Sequence, residues 1–422
     1  MSPSNKFKWF RAVLGAIFFG AAILGISDLS SAQTINPLQQ QIPLPGPPFA
    51  AITTPDGRYV FVSIGEPANS IAVIRQTKTF ATVVQMIPTC GAAFGLAMSK
   101  GGRYLLVAVQ PPPGSCTSGG VQFIDVKKAI AGDASAAMGT VATDSSAIEV
   151  AISPDNKLVF VANEFSATMQ GEPDTVSVID FKAALATGQN ASSVIGAIPV
   201  DSAPVGLAVS GDSRYLYVTN ENALPSRNYD KTCEDSSIPT GEMCPVMNLA
   251  PPGTLTVVDV RAARTDPATS AVATIPAGCS PTRVILTNSD KVAWVSARDE
   301  NNLLAFDTRK FLSDPADALL STTPVGVAPD GAQPFSNKRF IAVANTNRFE
   351  GKCTGALGTV SILDFATALK SGGAAATVGT FDAGVFPRQW ALSPNGKWLY
   401  LTEFLSDTLA IFPVKSLVHQ VQ

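Results

Sequence analysis

Short runs of alternating apolar and polar residues, rich in β-branched and aromatic side chains, recur from residue 48 onward, and each is cut by a turn and a basic residue. The turns read PDGR at Pro55–Arg58, KGGR at Lys100–Arg103, PDNK at Pro154–Lys157 and GDSR at Gly211–Arg214. They continue as NSDK at Asn288–Lys291, SNKR at Ser336–Arg339 and PNGK at Pro394–Lys397. Asp-Gly, Gly-Gly and Asn-Gly supply the positive φ of tight hairpin turns. Behind the turns come YVFVS, YLLVA, LVFVA, YLYVT and WLYLT, whose period-2 patterning and composition predict strands.

The register of the copies is constant. Ten residues before each basic residue stand Pro48, Ala93, Ala147, Pro204, Pro281, Pro329 and Pro387, with no insertion or deletion in any copy. A third strand follows each hairpin (SIAVI, GVQFID, TVSVID, TLTVVD, LLAFD, TVSILD, TLAIF), and a fourth recurs before the next copy, as in TVVQMIP, SVIGAIP and SAVATIP. Four short antiparallel strands repeated seven times predict an all-β chain folded as one seven-bladed β-propeller. Its hairpins fall near 48–62, 93–107, 147–161, 204–218, 281–295, 329–343 and 387–401. QQIPLPGPPF at Gln40–Phe49 carries the fourth-strand pattern, so a segment near Leu38–Leu44 is expected to close the ring by completing blade seven.

The first 32 residues break this pattern. Lys6, Lys8 and Arg11 precede an apolar run from Ala12 to Ile26, followed by Ser30, Ser31 and Ala32. A basic segment, a short apolar stretch and small residues describe a secretory signal, with the propeller occupying 33–422. The apolar run falls short of the roughly 18 to 20 residues that span a bilayer. An exported protein, periplasmic or extracellular, with no membrane span in its mature chain is therefore expected. All six cysteines lie beyond the signal. No pair shows CxxC spacing, so disulfides are favoured over a metal site, among 15 connectivities. Cys90 and Cys116 both fall on the channel-mouth side of blade two, Cys233 and Cys244 within one loop, and Cys279 and Cys353 in neighbouring blades. The pairings expected are Cys90–Cys116, Cys233–Cys244 and Cys279–Cys353.

The copy SAPVGLAVSGDSRYLYVTNEN…GTLTVVDV, with YLYVTN at Tyr215–Asn220, resembles the YVTN β-propeller repeat. That resemblance covers all seven copies. It implies kinship with bacterial and archaeal surface or periplasmic propellers and with the lactonase-like superfamily. The histidine-containing motifs of lactonase-like propellers have no counterpart here.

Composition narrows the chemistry. With 46% hydrophobic and 15% charged residues the chain is neither disordered nor nucleic-acid-binding in character, and its net charge is −3. A single histidine, His419, argues against a Ser-His-Asp triad and a histidine-rich zinc site, and the lack of CxxCH argues against a c-type haem. No cofactor or metal is expected. The recurring basic residues and the aspartates ending strand three (Asp125, Asp180, Asp259, Asp307, Asp364) are read as solvated intrablade ion pairs plus helix caps. Loop carboxylates such as Glu164, Glu172, Asp174 and Glu221 lack the spacing of a calcium loop. Asn163, Asn220 and Asn345, at the ends of second strands, are read as turn formers.

The first residues of the inner strands should ring the channel mouth, and there Glu149, Arg283, Asp330, Arg388 and Gln389 stand out as ligand-binding candidates. The function expected is a monomeric binding or interaction scaffold whose partner is a small molecule, cell-surface polymer or protein. The alternative is a lactone or ester hydrolase in which Glu149 or Asp330 activates water and Arg283 or Arg388 stabilises the oxyanion.

Overall fold

The computed structural model describes residues 33–35, 40–111, 119–143, 146–165, 172–229, 231, 233, 251–347 and 356–422. Seven antiparallel sheets of the same order make the propeller. In blade one the strands run Pro48–Thr53, Tyr59–Ile64, Ser70–Gln76 and Ala81–Pro88 from the channel outward. The inner strands of blades two to seven are Ala92–Met98, Ala147–Ile152, Ser202–Val209, Pro281–Thr287, Pro329–Phe335 and Pro387–Leu392. Proline opens four of these seven strands, a position where its missing N–H costs no ladder bond. The expected signal segment lies outside the described residues. Among those residues, no helix is long and apolar enough to cross a membrane.

The ring closes as its sequence predicts. Gln40–Pro43 pairs antiparallel with Thr408–Pro413, Gln40 opposite Ile411 and Pro43 opposite Thr408, and so becomes the outer strand of blade seven. Hydrogen bonds add to the apolar seam with blade one: Gln40 exchanges side-chain hydrogen bonds with the backbone of Ala81 (2.9 and 3.0 Å), and the Tyr400 hydroxyl bonds Gln76 at 3.1 Å. One addition lies beyond the sequence reading. Gln33–Thr34 adds a short parallel strand to blade six, beside Gly379 and Thr380.

Apolar side chains pack between blades rather than within them. Seven clusters each join two neighbouring blades; Val62, Ile74, Tyr400, Leu409 and Ile411, for instance, bind blade seven to blade one. Second strands are therefore buried on both faces, which is why they read YVFVS and WLYLT instead of alternating cleanly. An eighth cluster, Phe49, Ala50, Ile148, Ala162 and Val205, lines the channel.

Strand three leads into short helical segments. Asp125, Asp180 and Asp364 cap helices Val126–Ala131, Phe181–Ala186 and Phe365–Lys370 by accepting from Lys128, Ala183 and Thr367 N–H at 2.8–3.0 Å. Asp307 caps the single 3₁₀ turn Thr308–Lys310 by accepting from Arg309 N–H, and Asp259 accepts from Arg261 and Ala262 N–H just ahead of the turn Ala262–Arg264. The segments shield outer edges of preceding blades: the Ser321 hydroxyl of blade five donates to Ala368 C=O, and Gly373 N–H of blade six donates to Thr322 C=O.

The cations expected beside those aspartates go elsewhere. Lys157 pairs with the turn residue Asp155 (3.2 Å), while Arg103, Arg214 and Arg339 lie over the rings of Tyr104, Tyr215 and Phe340. Beside Lys157 the turn carboxylate is two residues away and already held by the Ser153 hydroxyl. Arg58, whose blade has no strand-three aspartate, pairs with Asp56 in its turn at 2.6 Å. Asp56 accepts from Thr54 and from Arg58 N–H, so although burial works against its charge, its pKa lies below the usual carboxylate value.

The asparagines also differ from expectation. Asn163, Asn220 and Asn345 each donate at 3.0–3.1 Å to two hydroxyls across the sheet, Thr175/Ser177, Thr254/Thr256 and Thr359/Ser361. They are fully buried ladder residues, not turn formers.

Cys233 is joined to Cys279, 46 residues away with Cα atoms 5.6 Å apart. This replaces the expected Cys233–Cys244 and Cys279–Cys353 pairs. The long blade-four loop reaches the next blade where Lys231 pairs with Glu300; Gly253 N–H donates to Gly278 C=O in the connection to that blade, and Arg227 forks back onto Asp201 where blade three leads into blade four. Proximity in space, not within the loop, selects the partner. Cys116, Cys244 and Cys353 lie outside the described residues, and Cys90 packs against Gln122 and Thr140.

Candidate functional site

Every inner strand loses its ladder register at its first residues. The breaks fall at Pro48/Ala51, Ala93/Leu96, Ala147/Glu149, Pro204/Gly206, Pro281/Val284, Pro329/Ala332 and Pro387/Trp390. A bulge frees a residue from the pleat and re-aims its side chain. In blades four to seven the proline is also preceded by a left-handed non-glycine residue, Ala203, Ser280, Ala328 and Phe386, at φ +50° to +59°. Backbone strain of this kind persists only where surrounding structure holds it.

The released residues form two tiers. Phe49, Phe94, Ile148, Val205, Thr282, Asp330 and Arg388, one from each blade, surround a cavity of about 270 Å³ together with Arg283. Glu221, near the end of the second strand of blade four, and Glu164, Arg298, Phe404 and Leu405, just beyond second strands, add to its rim, and Phe386 completes the wall. One residue further along stand Ala50, Gly95, Glu149, Gly206, Arg283, Gly331 and Gln389. The small members are required there. A Cβ on Gly331 would stand 2.3 Å from Arg388 C=O, and one on Gly206 would stand 2.6 Å from Thr282 C=O.

The five candidates meet in one network. Asp330 faces Arg283 Nε and Arg388 Nη2, each at 3.3 Å, and Arg283 Nη1 lies 3.8 Å from Glu149. Gln389 Nε2 donates to Glu149 at 3.2 Å across the channel, and Arg283 also donates to Val205 C=O at 2.5 Å. Arg283, Asp330 and Arg388 face the cavity, whereas Glu149 and Gln389 support Arg283 from the second tier. Burial pushes the Glu149 carboxyl above its usual value, against the opposing pull of Arg283, its Val150 N–H bond and Gln389. Arg388 is the more exposed partner of its pair, 19% against 5% for Asp330. Its guanidinium lies 4.1 Å from the Phe49 ring centre, with Phe386 and Phe404 at 5.3 and 5.5 Å.

Middle-strand hydroxyls bind the bulge carbonyls and staple blades together. Thr402 donates to Phe49 C=O at 3.1 Å, Thr219 to Thr282 C=O at 3.1 Å, and Ser296 to Asp330 C=O at 2.5 Å. On the rim, Arg298 forks onto Glu221 at 2.7 and 3.1 Å and also meets Asp299 and Ser280. Burial opposes its charge, but Glu221 and Asp299 outweigh that and hold its pKa above the ordinary value.

Sequence reading passed over the aromatic wall. Phe49 and Phe94 occupy the same strand position as Asp330 and Arg388, so the phase that singled out the charged residues applied equally to them. A larger groove of about 780 Å³ runs between the blade-four loop and blade five, lined by Tyr229, Pro252, Phe306, Pro315 and Leu319 among others. Among the described residues it gathers only the Lys231–Glu300 pair from the charged ones, so the convergent buried chemistry among them is at the mouth. Among the described residues, no group of three or more His, Cys, Asp or Glu is placed to hold a metal ion.

No protein-family model matches the chain, and no curated protein matches it. Solved structures do, in 1274 chains, so the architecture is common and does not by itself select an activity. One of them is hydrazine synthase from Kuenenia stuttgartiensis, with TM-score 0.62 over 88% of this chain and 96% of that one, at 16% identity. That likeness supports the propeller fold.

Proposed function

We propose that this protein is an exported propeller scaffold that binds a small ligand at the mouth of its central channel. The observation that carries the reading is the convergence of first inner-strand residues from all seven blades on one cavity, with Arg388 held against three phenylalanine rings on its wall. A concave, largely apolar site with a few fixed polar groups is how such folds hold small molecules. Export rests on the basic and apolar pattern of residues 1–32, and the Cys233–Cys279 cystine is compatible with an oxidising compartment. The YVTN-like repeats agree with a surface or periplasmic setting.

A thermal-shift screen of small molecules tests the reading, run in parallel on the native chain and on Arg388→Met. Hits that raise the native melting temperature and lose that effect in the variant are expected. Hits whose shift survives Arg388→Met unchanged would move the site away from the mouth. Turnover of lactones or esters by the native chain, abolished in Asp330→Asn, would replace binding with hydrolysis.

A further inference from the structure

We infer that the mouth selects an uncharged ligand, with a compact ring against its apolar arc and a carboxamide-like group against Asp330 and Arg388. The inference rests on the channel-mouth reading above and adds the ligand's charge and shape.

The lining is divided by blade. At inner-strand depth, blades one to four present Phe49, Phe94, Ile148 and Val205, and blades five to seven present Thr282, Arg283, Asp330 and Arg388, while Glu164 and Glu221 stand above the first group and Phe386, Phe404 and Leu405 beside the second. At that depth one side of a ligand meets apolar groups and the opposite side meets hydrogen-bonding ones. The wall also carries equal numbers of opposite charges: Glu164, Glu221 and Asp330 against Arg283, Arg298 and Arg388. Most of these are engaged with one another, Arg298 with Glu221 at 2.7 Å and both Arg283 and Arg388 with Asp330 at 3.3 Å.

Partial burial makes breaking such a pair expensive, because the charge left behind is poorly solvated. An anion reaching Arg388 would have to compete with Asp330 and then face its carboxylate. A cation reaching Asp330 would meet two guanidinium groups. A neutral group that both accepts and donates meets neither penalty: its carbonyl accepts from Arg388 while its N–H donates to Asp330, and the ion pair stays intact. The volume of about 270 Å³ limits the body to one ring with a short chain or a fused bicycle.

Three probes of matched shape separate the charge states: phenylacetamide, phenylacetate and 2-phenylethylammonium, titrated calorimetrically into the mature chain at neutral pH. The amide is expected to bind at least about tenfold more tightly than either ion. Equal or tighter binding of phenylacetate or 2-phenylethylammonium overturns the inference, and so does the absence of amide binding at millimolar concentration. Leu405→Trp, a change at a rim position 44% exposed, fills the mouth without disturbing a buried contact. An ion whose binding is blocked in that variant overturns the charge assignment but leaves the channel-mouth site standing. Amide binding that survives the variant overturns the site itself.

Discussion

Asp330 faces two guanidinium groups at 3.3 Å while almost wholly buried, so its charge is what allows Arg283 and Arg388 to sit side by side. Asp330→Asn should cost about 3–5 kcal/mol, read from the urea midpoint, because it leaves the buried Arg283 and the half-buried Arg388 facing a neutral side chain, with Glu149 the carboxylate that remains beside Arg283. Removing the exposed Arg58–Asp56 pair by Arg58→Ala should leave that midpoint unmoved. Glu149 gives a pH signature. Its folded pKa is raised by burial, so its contribution to stability is full below the unfolded value and is lost as pH rises through the folded one. Glu149→Gln should therefore gain stability relative to the native chain as pH rises from 4.5 to 8, in urea titrations across that range. A difference that stays flat or falls would show that Arg283 outweighs burial. The constant register placed all five candidates near the start of inner strands, and three of them, Arg283, Asp330 and Arg388, line the cavity. Which of them meet was not legible in the sequence, because Glu149 and Gln389 are 240 residues apart and come together only across the closed ring.

The inner-strand bulge is the element that makes the mouth, and second-tier glycines make room for it. Gly331→Ala would press a methyl onto the Arg388 carbonyl and the Gln389 backbone, neither of which is a flexible side-chain end. A loss of about 1–3 kcal/mol is expected by chemical denaturation, together with weaker ligand binding as Arg388 is displaced. A neutral Gly331→Ala would show that the second tier is looser than its contacts indicate. Local devices were readable here: the strand-three aspartates cap as anticipated, since a cap needs only an N–H three residues on. Their expected ion pairs failed for a related reason. At Lys157 the turn aspartate lies nearer in sequence and is already oriented by Ser153, whereas Arg103, Arg214 and Arg339 lie over the aromatic ring next to them in the chain. The asparagine ladders were hidden because their hydroxyl partners come from a strand 12 to 36 residues further on.

Closure of the ring depends on Gln40–Pro43, where Ile42 and Leu44 pack into the cluster that joins blade seven to blade one. Deleting residues 33–44 should unfold blade seven ahead of the rest, giving a separate early transition in the fluorescence of Trp390 and Trp398. A single unchanged transition would show that the ring does not need its N-terminal strand. The repeat itself announced this architecture, since seven copies in one register leave few alternatives. The added parallel strand at Gln33–Thr34 and the Cys233–Cys279 cystine did not show, because both join segments whose contact no local pattern marks. Soaking crystals of the protein with a fragment library tests the mouth as a binding site most directly. Fragments seated between Phe94, Thr282 and Arg388 are expected. Fragments found only elsewhere, as in the groove beside Tyr229 and Pro315, with the mouth holding nothing but water, would contradict it.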